Sequence, residues 1–102
     1  MRKVKITVVK KVFHADLSDK YENLISNACP INEGDIFYMS DLNKPDGLCE
    51  SAYVTLYPFV MTLLHGGEDI YKGWMKNKKS AMVSCNDGFR PVSFYLEVID
   101  ED

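Results

Sequence analysis

The carboxy-terminal alternation constrains this chain more than any other feature. From Val92 to Ile99, Val92, Phe94, Leu96 and Val98 fall on one face and Ser93, Tyr95 and Glu97 on the other. A period of two over this length is the mark of a half-buried strand. Pro91 stands just before it, where a missing N–H costs no ladder bond. A shorter run, Ala81 to Cys85, precedes Asn86-Asp87-Gly88, and Asp-Gly supplies the positive-φ residues of a tight hairpin turn. Such a hairpin buries its apolar face only against a second layer, which the rest of the chain must provide.

The amino-terminal stretch is also a strand with one wet face. Lys3 to Phe13 sets Val4, Ile6 and Val8 on one face and Lys3, Lys5 and Thr7 on the other, then slips at Val9-Lys10-Lys11-Val12. That slip marks a bulge or the strand's exit. Asp16 or Ser18 is placed to cap a short helix carrying Tyr21, Leu24 and Ile25 and ending near Asn27, because a short side-chain oxygen satisfies free N–H groups in a first turn. Cys29-Pro30 stops that helix, since a residue before proline avoids the α region. Glu33-Gly34-Asp35 reads as a turn into a second strand, Ile36 to Met39.

Leu56, Phe59, Val60, Leu63 and Leu64 recur at helical spacing after the Asn43–Gly47 loop and supply the covering layer. Pro58 leaves two starts open: Thr55 as the cap with Pro58 in the first turn, or a start near Glu50 with a kink. Gly66-Gly67 closes the helix, with His65 in its last turn. Glu68 to Lys76 carries Ile70, Trp74 and Met75 at the spacing of a second, shorter helix. Lys76-Asn77-Lys78-Lys79 is a solvated connection. The elements run β-α-β-α-α-β-β. They specify an α+β domain spanning residues 1–102 as a single unit, with a small, mainly antiparallel sheet of about four strands and two or three helices on one side.

Charge and cysteine usage narrow the function classes. Twelve Lys+Arg against fifteen Asp+Glu give a net charge of -3, without the basic excess of a nucleic-acid binder. Lys5 and Lys10-Lys11 interrupt any apolar core of a signal peptide, and Ser51 to Leu64 is too short for a bilayer span. We therefore expect no nucleic-acid partner and no membrane. Three cysteines do not form a secreted disulfide framework, and the expected setting is cytoplasmic with reduced thiols. No phosphate-binding glycine motif occurs.

Cys29, Cys49 and Cys85 each fall at the end of an element, where side chains from different elements gather on one rim. Three thiolates suit zinc or an iron–sulfur cluster, with His14, His65 or Asp87 as a further ligand. Their intervals hold no Cys-x-x-Cys knuckle, so small, buried hydrophobes are the plainer reading. Cys85, Asp87 and Arg90 form a second constellation, in which Arg90 holds a thiolate or an anionic ligand. In its structural alternative Arg90 pairs with Asp87 or caps a helix. Trp74 is the aromatic residue expected to make an exposed ligand contact.

The segment Cys85-Asn86-Asp87-Gly88-Phe89-Arg90-Pro91-Val92-Ser93-Phe94 resembles the Cys-x-Asp-Gly-x-Arg-Pro-Val-x-Phe signature of a small, uncharacterised prokaryotic family. Lys3-Val4-Lys5-Ile6-Thr7-Val8, Cys29-Pro30, Gly47-Leu48-Cys49 and Gly66-Gly67 are similar to it as well. Where the family is rich in tryptophan, this chain has Cys49-Glu50-Ser51-Ala52-Tyr53. The resemblance implies an α+β fold in the cytoplasm and supplies no activity. Three functions are expected, in descending order: a small-ligand or metal-binding module at Cys29, Cys49 and Cys85; a homo-oligomer or protein-interaction module without a chemical site; and a thiol-dependent enzyme using Cys85.

Overall fold

A computed structural model describes residues 1–23 and 29–101. Four strands and two helices follow one another as β1 (Lys3–Lys11), α1 (Ala15–Tyr21), β2 (Ile36–Met39), α2 (Glu50–Leu64), β3 (Ser80–Ser84) and β4 (Val92–Asp100). The sheet order is β2-β1-β4-β3, and every neighbouring pair is antiparallel. The α+β class and the antiparallel sheet stand as the sequence indicates. The two terminal strands lie side by side at its centre.

Alternation fixes which face is dry. Val4, Ile6 and Val8 of β1, Val92, Phe94 and Leu96 of β4, and Ala81 and Val83 of β3 are buried beneath Ala52, Leu56, Val60, Leu63 and Leu64 of α2. Met39 and Leu48 close this core at one side. Fully burying a side chain of this size contributes about 1.5–3 kcal/mol. Among the described residues, no helix is long and apolar enough to cross a membrane.

The register of β1 on β4 shifts between Val8 and Lys10, so the slip in the sequence is a bulge. Helix α2 begins after Cys49 and carries Pro58 inside it. Thr55 is thus an interior residue, and its hydroxyl donates to the Ser51 carbonyl (3.0 Å). At the other end the His65 Nδ1 lies 2.8 Å from the Met61 carbonyl, and Gly66 takes φ +96°, the left-handed turn that closes helices.

Three local expectations are corrected. Helix α1 starts after His14, with no side-chain cap, so Asp16 and Ser18 lie within it; Leu24, Ile25 and Asn27 fall outside the described residues. It buries none of its residues and is a surface turn rather than part of the covering layer. The expected helix over Glu68–Lys76 is not formed: Asp69, Tyr71, Lys72 and Gly73 all have positive φ, a conformation a right-handed helix excludes. Finally, Asp87 and Gly88 do not take positive φ. The β3–β4 connection runs from Cys85 through Pro91, too long for a two-residue turn.

Candidate functional site

Two loop regions lie at opposite ends of the sheet and hold most of the residues with chemical potential. The first gathers where β1 and β3 end and β4 begins. Lys11 pairs with Val92 and Ser84 with Ser93, which fixes those three termini at one end. Just beyond, the Cys85 amide donates to the Val92 carbonyl (3.0 Å), and the Val92 amide donates to the Cys85 Sγ (3.3 Å). The thiol is therefore a backbone acceptor that prolongs the ladder by one residue. Asp87 Oδ1 accepts from the amides of Phe89 (2.8 Å) and Arg90 (3.1 Å). This side-chain-to-backbone turn reverses the chain without positive φ.

Arg90 is held from three sides. Its Nη1 and Nη2 donate to Glu22 Oε1 (2.9 Å) and Oε2 (2.6 Å), the two-pronged geometry that makes arginine–carboxylate pairs strong. Its Nε lies 3.6 Å from Asp87 Oδ2, and its guanidinium sits 5.9 Å from the Phe13 ring. Both members of the pair are mostly covered, with side-chain exposures of 15% and 13%. Hydrogen bonds from Arg90, and then from the Ser18 hydroxyl, pull the Glu22 carboxyl down from its ordinary 4.5 to about 2. Bonding to Glu22 in turn raises Arg90. The expected pairing with Asp87 is present, and Glu22 is a larger partner that the sequence pattern does not indicate. The protein's own carboxylates occupy the guanidinium, so Arg90 serves as a clamp between α1 and the β3–β4 loop.

The three cysteines lie at the margin of the core. The Lys11 Nζ donates to the Cys29 carbonyl (3.4 Å), which ties Cys29 to the exit of β1. Cys49 precedes α2, and a side chain at nearby Gly47 would touch the Phe37 ring of β2 at 3.5 Å. Cys85 follows β3. Among the described residues, no group of three His, Cys, Asp or Glu side chains stands where it would hold a metal ion. Zinc or an iron–sulfur cluster therefore finds no assembled ligand set at Cys29, Cys49 and Cys85. All three thiols are free and partly exposed, packed against the core from its margin.

The second region is the α2–β3 connection, which enters β3 at Ser80, the far end of that strand from Cys85. Here Tyr71 stacks on Trp74, with ring centroids 4.9 Å apart, and leans on Phe59 of α2 at 6.1 Å. Trp74 is 76% exposed and Tyr71 56%. The Asp69 amide donates to the Lys78 carbonyl (2.8 Å), closing the loop at its base, and Asp69 Oδ1 accepts from the Gly73 amide (2.8 Å). Trp74 is thus separated from Cys85, Asp87 and Arg90, and the expected four-residue ligand set divides between two sites.

No family model matches the chain, and no curated protein or solved structure matches it closely enough to show kinship. What the chain does is inferred from its own residues.

Proposed function

We propose that this chain is a protein-interaction module whose contact surface is the aromatic projection formed by Tyr71 and Trp74. The observation that carries this is the backbone beneath them. Tyr71 (φ 60°), Lys72 (φ 45°) and Gly73 (φ 85°) are left-handed in succession. A non-glycine residue in this region costs on the order of 1–2 kcal/mol, and a bulky one such as tyrosine is rare there. Strain retained next to an exposed tryptophan favours a functional account over a packing one. Tryptophan and tyrosine are the residues that most often dominate binding energy when a partner covers them.

Charge indicates what that partner offers. Lys72, Lys76, Lys78 and Lys79 lie within eight residues of sequence, in a chain of net charge -3. Lys79 is paired with Glu101 at 2.5 Å. Among the described residues, Lys72, Lys76 and Lys78 have no ion-pair partner. An acidic protein surface with an apolar notch fits this arrangement.

The test is quantitative affinity purification with three folded baits: the native chain, Trp74→Ala, and the triple variant Lys72→Glu, Lys76→Glu, Lys78→Glu. A specific partner with an acidic contact surface should fall by about tenfold or more with each variant. A partner set indifferent to both changes, or no partner at all, overturns the proposal.

A further inference from the structure

No helix packs on the sheet face turned away from α2 among the described residues. The α2–β3 connection reaches only its β3 margin, where Ser80 is buried and Asn77 Nδ2 donates to the Tyr95 hydroxyl (3.4 Å), and strand register arranges its side chains in rows. Ile36, Thr7, Tyr95 and Met82 lie across β2, β1, β4 and β3 in one row. Tyr38, Lys5, Glu97 and Ser80 form the next. Ile36 is 45% exposed, Tyr38 50% and Met82 50%. This face is a mixed surface: Ile36, Tyr38 and Met82 lie at its margins, Lys5 and Glu97 at its centre, with Lys3 beyond them, its ammonium 4.9 Å from the Tyr38 ring, and Lys10 beside Ser93. Lys5 and Glu97 are neighbours across β1 and β4, yet neither makes an ion pair among the described residues.

From this pattern we infer that the chain forms a two-fold dimer by stacking its uncovered sheet face on that of a second copy. Two axis directions would let two such faces meet. An axis running across the strands, through the Lys5 row, sets β1 on β1 and brings lysine onto lysine and glutamate onto glutamate, which is unfavourable. An axis running along the boundary between β1 and β4 sets each β1 over the other copy's β4. Lys5 then faces Glu97 of the partner subunit, and Glu97 faces the partner's Lys5. In the adjacent row Thr7 faces the partner's Tyr95, and Ile36 faces the partner's Met82. The central Lys5 and Glu97 charges are matched, and in the Thr7 row apolar margin meets apolar margin. Such self-complementarity is what a two-fold interface requires. The stacked sheets would sit about 10 Å apart, as in a β-sandwich. The lysine stem contributes apolar surface even where its ammonium is paired.

The dimer is read through charge reversals at Lys5 and Glu97 and the aromatic contact through Trp74, so the two are tested separately. Sedimentation equilibrium should give twice 11.7 kDa for the native chain at about 100 µM. Lys5→Glu alone and Glu97→Lys alone, each confirmed folded by circular dichroism, should weaken the dimer by about tenfold or more. An equimolar mixture of the two should regain the native mass. In the mixed dimer the introduced glutamate of one chain meets the introduced lysine of the other, and the native Glu97 of the first meets the native Lys5 of the second. No account confined to a single chain predicts that recovery. Should either reversal fail to fold, Lys5→Gln and Glu97→Gln are measured in its place, and each should weaken the dimer in the same direction. A native chain of monomer mass at this concentration, a dimer indifferent to these changes, or a mixture of folded reversals that stays monomeric overturns the inference.

Discussion

The two ends of the sheet use their loops in opposite ways. Where β1 ends and β4 begins, the strong polar groups are turned inward on the protein: Arg90 on Glu22 and Asp87, Asp87 on two backbone amides, Cys85 on Val92. At the far end the α2–β3 connection holds a left-handed backbone and displays its largest side chains to water. One end uses its chemistry to hold loops in place, and the other accepts strain in order to present a surface. Residues that look reactive in the sequence can therefore be structural.

The largest effect expected from this contrast sets Ile31 against Trp74. Ile31 lies in the α1–β2 loop at the clamped end and is 2% exposed; truncation to alanine should cost about 2–5 kcal/mol in denaturant unfolding. Trp74→Ala removes a larger side chain at the presenting end and should change stability by no more than about 0.5 kcal/mol. Equal costs for the two would erase the distinction between holding and presenting loops.

Second comes the acid response of the clamp. The Glu22 carboxyl is lowered from 4.5 to about 2 by Arg90 and Ser18. Its contribution is therefore fully present above pH 4.5 and is lost as the pH falls through about 2. Glu22→Gln should lower the thermal midpoint at neutral pH, and the two proteins should converge as the pH falls across this window. A midpoint difference that stays constant between neutral pH and about pH 2 would show that the pair does not titrate as a clamp.

The smallest effect is at Gly88. A tight Asp-Gly turn would require positive φ there and penalise any side chain. The structure instead gives Gly88 an ordinary φ and open space where a β-carbon would stand, and Gly88→Ala should shift stability by no more than about 0.5 kcal/mol. A loss well beyond that would restore the hairpin-turn reading.

These cases also mark how far the fold and the site are legible in the sequence. Strands β1 and β4 are readable because each alternates over most of its length, and α2 because five apolar residues keep helical spacing. The Glu68–Lys76 segment misleads because Ile70 and Trp74 have the right spacing but nothing to bury both: Trp74 faces water, and the backbone reverses hand at Tyr71. Asp87-Gly88 misleads because a hairpin dipeptide carries information about the turn only when the strands reach it, and here they stop at Ser84 and Val92. The Glu22–Arg90 pair spans 68 positions, a separation at which a single chain's local pattern gives no signal.

The display of Trp74 has a practical consequence for optical work on this protein. It is the sole tryptophan in the chain, and it is already largely in water when the protein is folded. Indole emission should therefore change little between the native and denatured chain. The same fluorophore is well placed to report contact: a partner that covers the Tyr71–Trp74 stack would shift its emission to the blue while the rest of the fold contributes no competing tryptophan signal.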